Sequence, residues 1–312
     1  MRGLLAALQS GFGGLKPRVC SIGGSGTWGL PFPEDLPGRS GEAGVAARIE
    51  DGVETPFGRT VGLKVLSVRG QPVLRVAMHA HHSPPSLRDS HQLFWVLREL
   101  GVERVVVDAS VGGLSFAGEP VEPWDAVICD DFVDVHSKES AAEFAQALGL
   151  PAWKRMKQPF CPEVRGALAA AAARVADEAA GLGVHPLGRV LDQGVYYTTP
   201  IGPFETAVEI RAYEAIGATV VGQTTGVEAY LARLCGMCFA GLYVASNRAE
   251  GLGGPEGDWV RGGMKAFYEQ CGPPMGLAIW HALEDLVERP RACDCARIAA
   301  ENELSGFPVK GA

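Results

Sequence analysis

Residues 197–206 read Tyr-Thr-Thr-Pro-Ile-Gly-Pro-Phe-Glu-Thr. With Ala-Thr-Val-Val-Gly-Gln-Thr-Thr-Gly at 218–226 and Phe-Ala-Gly-Leu-Tyr-Val-Ala-Ser-Asn-Arg at 239–248, they decide the fold. From Glu205 onward, Val208, Ala212 and Ala215 recur at helical spacing, and Gly217 stands where a helix-ending glycine belongs. Residues 219–221 are a β-branched run, the composition of a buried strand. Val227, Leu231 and Leu234 repeat the helical period, Gly236 closes it, and residues 238–245 form a second apolar run. The order predicts a β-α-β unit, whose ligand lies beyond the carboxyl ends of its strands. Those ends are Gln223-Thr224-Thr225 and Ser246-Asn247, polar after apolar strands.

The same alternation extends outward. Residues 19–22 predict a strand running into Gly23-Gly24-Ser25-Gly26-Thr27, small residues that let backbone N–H groups approach an anion or simply make a tight turn. No Gly-Lys-Ser follows, so this is not a Walker loop, and it is not G-x-G-x-x-G. Residues 31–52, rich in Pro and Gly, read as loop. Residues 60–68 and 73–77 predict a hairpin turned at Arg69-Gly70-Gln71-Pro72. Leu93, Leu97 and Leu100 mark a helix ending at Gly101. Residues 105–107 predict a strand with Asp108-Ala109-Ser110-Val111-Gly112-Gly113 as its small-residue exit, and 126–129 a further strand. Pro162 is placed to start an alanine-rich helix over 163–182, and 275–289 read as a final amphipathic helix. Strands and helices alternate throughout, which predicts an α/β fold in one domain over residues 1–312, built on a mainly parallel sheet.

Composition narrows the function. The chain is 47% apolar, enough for a sizeable core, and carries a net charge of −8 without a basic stripe, which argues against nucleic acid as a partner. No apolar run reaches membrane-spanning length, and residues 1–8 lead into no convincing cleavage site, so the expected compartment is the cytoplasm. Of eight cysteines, Cys20, Cys129 and Cys238 fall in expected strands, where buried free thiols are ordinary. Cys235-Gly-Met-Cys238 has metal-ligand spacing but lacks the second pair a zinc site needs. Cys293-Asp-Cys295 reads as a labile disulfide or as nothing.

Gly23-Gly24-Ser25-Gly26, Asp125-Ala-Val-Ile-Cys-Asp-Asp-Phe-Val-Asp134, Pro159-Phe-Cys-Pro162, Gly202-Pro-Phe-Glu-Thr206 and Thr224-Thr-Gly-Val-Glu228 occur in that order. Together they resemble the purine nucleoside phosphorylases, and more narrowly the trimeric branch of methylthioadenosine and methylthioinosine phosphorylases. The resemblance covers residues 17–248 and leaves 249–312 as a divergent helical tail. It implies a nucleoside phosphorylase-like fold with a central mixed β-sheet flanked by helices. It also implies a homotrimer with sites near subunit boundaries, and a pentosyltransferase that splits a purine nucleoside with phosphate. Inorganic phosphate is then a co-substrate, with no cofactor and no metal.

By the same resemblance, Asn247 matches the residue that hydrogen-bonds purine N7 and O6, and Glu205 the carboxylate that accepts from N1–H. An amide donates to a 6-oxo group, where adenine-specific relatives carry Asp, so the pair implies a 6-oxopurine such as that of inosine, guanosine or methylthioinosine. Ser25 and Thr224 match phosphate-contacting hydroxyls, the backbone at Ala109 and Ser110 the phosphate and base wall, and His79 and His81 a His-x-His of methylthioinosine-type relatives. Phe204 and Gln223 complete the expected substrate site. Taken without the resemblance, a Glu opening a helix serves its dipole and an Asn after a strand makes a turn.

The chain departs from the family at three points. Val76 stands where relatives carry a phosphate-gripping Arg, a bidentate contact worth about 1.5–3 kcal/mol. Gln223 replaces a usual Met under the ribose, and Gly202-Pro203-Phe204-Glu205 lacks one residue between Pro and Phe. Three alternatives follow: a phosphate-independent nucleosidase on the same scaffold, a nucleoside-binding paralogue without turnover, and a metallohydrolase. The last would use His79, His81 and His82 with Asp89, His91, Asp108 or His136. His281 and Trp259 are candidates for the sugar 5′ side, with helix packing the plainer role for either.

Overall fold

A computed structural model of the protein describes residues 1–38, 44–81, 87–253 and 263–301, the backbone alone at 80, 81 and 263–265. Helix α1 (Arg2–Phe12) buries Leu4 and Leu8 and ends at Gly13 in the left-handed conformation. Strand β1 (Val19–Gly23) is buried throughout, as a central strand covered on both faces must be. Strand β2 (Val45–Ile49) lies inside the stretch expected to be loop. It is the edge strand of the sheet and pairs antiparallel with β5, so only its pairing reveals it. The short β3 (Glu54–Thr55) and β4 (Gly58–Arg59) pair with each other. Strands β5 (Leu63–Val68) and β6 (Gln71–Val76) form the expected hairpin on a shorter turn. Arg69 and Gly70 alone sit at φ 49° and 78°, the geometry of a two-residue turn matched to strand twist.

Helices α2 (Met78–His81) and α3 (Leu87–Leu100) lead to β7, which runs from Arg104 to Gly113. The small residues expected to leave this strand therefore continue it. The two terminal glycines are dictated by packing: a Cβ on Gly113 would stand 2.3 Å from the Val121 carbonyl oxygen, and one on Gly112 2.9 Å from Val221. The hairpin β8 (Ser115–Phe116) and β9 (Glu119–Pro120) precedes β10 (Ala126–Val127), which stops short of Cys129. Then come β11 (Asp131–Asp134), α4 (Lys138–Ala147), α5 (Pro162–Leu182, with Pro162 at its first turn), β12 (Val190–Leu191) and β13 (Val195–Thr198).

The deciding stretch folds as α6 (Ala207–Ala215), β14 (Val220–Gly222), α7 (Thr225–Leu234) and β15 (Cys238–Arg248). Thr206 caps α6 in a reciprocal box with Glu209. The main sheet is mixed. Strand β1 pairs parallel with β6 and β7, β7 pairs parallel with β15, and β14 pairs antiparallel with the end of β7. Strand β7 therefore lies between β14 and β15. The expected β-α-β unit is present in chain order but does not join adjacent parallel strands. What holds is the placement of the ends: β14 exits against Gly112 of β7, where β15 also ends.

The tail contributes core. Helix α8 (Gly263–Gln270) is followed by α9 (Gly272–Glu288), which buries Met275, Ile279, Trp280 and Leu283, each worth about 1.5–3 kcal/mol, and packs on α5. Met275 lies against Gly26, where a Cβ would be 2.2 Å from its Cε, so α9 backs the glycine-rich turn. Helix α10 (Cys295–Ala300) closes the described chain. None of the described helices is long and apolar enough to cross a membrane.

Candidate active site

A cavity of about 260 Å³ opens where β1, β7, β14 and β15 end. Ser25, His79, Ala109, Ser110, Phe204, Glu205, Gln223, Thr224 and Asn247 all line it. These are the expected site residues except His81, whose backbone ends α2 and whose side chain lies outside the described residues. Ser246, expected only as a polar strand end, lines it too, with Trp28, Tyr196 and Tyr268, to which sequence reasoning gave no role. His281 does not: it packs in α9 near Glu178 and Glu284, and Trp259 lies outside the described residues.

Two of the lining residues, Asn247 and Glu205, are the purine-edge candidates. The pairing of β15 with β7 slips by one residue between Ala245 and Asn247, a bulge that re-aims the strand's last side chains. Asn247 is 8% exposed; its Oδ1 accepts from Ser246 Oγ at 2.7 Å, and its Nδ2 donates to the Arg248 carbonyl at 2.8 Å. One amide proton remains for a ligand. Glu205 sits before α6, and its Oε1 accepts from Thr199 Oγ1 at 2.5 Å, which fixes the carboxylate while leaving Oε2 for a donor.

The lining hydroxyls of Ser25, Ser110 and Tyr268 form a chain. Ser25 Oγ and Ser110 Oγ are 2.6 Å apart, the Ser110 backbone N–H donates to Ser25 Oγ at 3.2 Å, and Ser110 Oγ meets Tyr268 Oη at 2.8 Å. Thr224 stands at the N-cap of α7 with its side chain uncommitted to the cap, so the positive end of that helix and a hydroxyl face the cavity together. His79 Nε2 and Glu228 Oε1 are 2.6 Å apart, both side chains nearly or wholly buried. Burial alone depresses an imidazole, but the Glu228 carboxylate overrides it, and the His79 pKa is raised. Nδ1 looks toward the glycine-rich turn, where a Cβ on Gly24 would be 3.1 Å away.

The turn rests on a buried ion pair. Arg75 Nη1 donates to Asp108 Oδ2 and to Ser21 Oγ, its Nη2 donates to Thr27 Oγ1, and Asp108 Oδ1 accepts from Thr27 Oγ1 and from the Gly24 backbone N–H. Val76, next to it, points into the core at 1% exposure.

Of the residues the metal-site alternative names, His82 and the side chain of His81 lie outside the described residues. His79 is engaged by Glu228, Asp108 by Arg75, and His91 bonds Ser140 against Phe57 and Phe144 with its pKa lowered by burial. Among the described residues these do not assemble into a metal-ligating group.

Comparison with known proteins matches residues 37–270 to the family described as the phosphorylase superfamily. The chain belongs to that superfamily. It is 34% identical over 245 residues, 76% of this chain and 82% of the relative, to the 6-oxopurine nucleoside phosphorylase of Pyrococcus furiosus. It is 32% identical over 203 residues, 64% of this chain and 72% of the relative, to a probable S-methyl-5'-thioinosine phosphorylase of Methanopyrus kandleri. Among solved structures, a methylthioadenosine phosphorylase from an antarctic soil metagenomic library superposes with a TM-score of 0.67 at 19% identity over 91% of both chains, a likeness of fold. The phosphorylase fold with its mixed central sheet is thereby shown, as the motifs implied.

Proposed function

We propose that this member of the superfamily is a pentosyltransferase that cleaves the N-glycosidic bond of a 6-oxopurine nucleoside with phosphate, releasing the base and a ribose 1-phosphate. The observation that carries it is one cavity lined by Glu205 and Asn247 together with Ser25, Ser110 and Thr224. As the C1′–N9 bond breaks, its electron pair passes to the purine, and a phosphate oxygen forms the new bond to C1′. The transition state is oxocarbenium-like, so positioning and hydrogen bonding dominate. The spare Asn247 amide proton meets the charge growing at N7 and O6, and Glu205 Oε2 accepts from N1–H, a donor adenine lacks. Phosphate is held by the hydroxyls, the N-terminus of α7 and His79. The names of the curated relatives support the substrate class.

A second reading rests on Val76. With an apolar, buried side chain where the family's phosphate arginine stands, water in place of phosphate gives a nucleosidase. Base release from inosine, guanosine and methylthioinosine, measured with and without phosphate, decides. Phosphate-dependent release supports the phosphorylase, equal release without phosphate supports the nucleosidase, and release of adenine alone would sink the base assignment.

We also propose a cytoplasmic homotrimer in which residues 1–312 act as one domain. Phe204 at the cavity, Val208 on α6 and Ile216 at that helix's C-cap are 66%, 66% and 60% exposed, apolar surface suited to a neighbouring subunit.

A further inference from the structure

Away from the cavity, four cysteines from three parts of the chain meet. Cys161 precedes α5, Cys238 begins β15, and Cys293 and Cys295 flank the start of α10. Their sulfur atoms all lie within 4.8 Å of one another, and Cys238 and Cys293 are 3.2 Å apart. We propose that these four thiolates bind one zinc ion that staples the C-terminal segment to the start of β15.

Three observations carry this. The first is shape. Four sulfurs about 2.3 Å from a zinc lie about 3.8 Å from each other, close to what the cluster offers, whereas a multinuclear iron–sulfur cluster would hold its cysteines further apart. The second is charge. Four thiols release four protons on binding a divalent ion and leave a net charge of −2. The positive charges of Arg233 and Arg291 act on the cluster cysteines and offset that charge. Both guanidiniums are anchored by backbone carbonyls, Arg233 by those of Lys157 and Gln158, Arg291 by that of Gly236.

The third is preorganisation. The Cys161 N–H bonds the Phe239 carbonyl, and the Ala292 N–H bonds Glu163, so the loops are set before any ion arrives. Cys235, whose spacing to Cys238 suggests a metal pair, is not in the cluster. Its place is taken by Cys161, 77 positions before Cys238, which no local spacing reveals. Four protein ligands leave no open position, the arrangement of a structural site.

The test is the metal content of the full-length protein, purified under reducing conditions without a metal-affinity step. One zinc per chain is expected, released by a mercurial thiol reagent, and replaced by cobalt with the strong thiolate charge-transfer absorption of a tetrahedral site. Cys293→Ser and Cys295→Ser should lose the zinc and melt lower while still releasing base at moderate temperature; Cys235→Ser should keep it. If a variant fails to fold, the wild-type protein still decides. Occupancy near zero after dialysis against zinc overturns the proposal, whether thiol counting then shows two disulfides or four bare thiols. Bound iron in place of zinc also overturns it.

Discussion

His79 and Glu228, 149 positions apart, meet at 2.6 Å between Nε2 and Oε1 beneath the glycine-rich turn. The carboxylate favours the protonated form of an imidazole whose other nitrogen faces the turn, and the His79 pKa is raised. On the proposed reading, His79 is the group that meets phosphate in a chain with Val76 where the resemblance implies an arginine. Phosphate affinity should be highest below the His79 pKa and fall as pH rises through that raised value. Glu228→Gln removes the main support of the shift and should move the fall to lower pH. A phosphate KM measured against pH for both proteins checks this; identical profiles would refute it. The stability sign is the same. Because the folded-state pKa lies above the ordinary value of 6.5, the stabilisation is full below that value and is lost as pH rises through the folded pKa.

On the proposed reading, Asn247→Asp exchanges a donor for an acceptor at the purine 6-position. Inosine turnover should fall by about 10²–10³-fold, the usual effect of losing one preorganised donor, while adenosine gains relative to it. The ratio of kcat/KM values for the two nucleosides is the measurement. An unchanged ratio would place Asn247 away from the base.

Much of this site was legible locally. The polar residues after apolar strands, Gln223-Thr224 and Ser246-Asn247, stand at the cavity because a strand's end exposes its last side chains. Pro162 starts α5 because its missing N–H costs nothing in a first turn. What stayed hidden depends on partners distant in sequence. Gly112 and Gly113 read as a loop, yet they sit inside β7 because Val221 and the Val121 carbonyl crowd them. Glu228 entered only as the last residue of a motif, and its pairing with His79, 149 positions away, has no local signal. Tyr268 carried no signal at all, since its role is a single bond to Ser110 across 158 positions.

Gly24→Ala should damage the site through the backbone. The added Cβ would stand 2.2 Å from the Asp108 carbonyl oxygen, which cannot rotate away. A loss of about 1–3 kcal/mol is expected, with weaker phosphate binding as the turn shifts. Gly181→Ala in α5 is the control. It has open space around its Cβ and should stabilise by about 0.4–1 kcal/mol. Thermal melts of the two variants should move in opposite directions.

Arg75 lies next to Val76, where the resemblance implies a phosphate-holding arginine, so its role needs separating from that one. Its guanidinium is 4% exposed, spends its donors on Ser21, Thr27 and Asp108, and lies so close under Gly23 that a Cβ there would be 2.4 Å from Nη2. It supports the turn and does not reach the cavity. Arg75→Met should therefore cost about 3–5 kcal/mol, because Asp108, wholly buried, keeps a charge without its counterion. Adding Asp108→Asn should recover part of that loss, since the amide oxygen still accepts from Thr27 and Gly24 without bearing charge. Denaturant melts of the single and double variants measure the coupling. If Arg75→Met instead left stability intact and raised only the phosphate KM, the guanidinium would be a phosphate ligand, and Val76 would no longer mark a missing one.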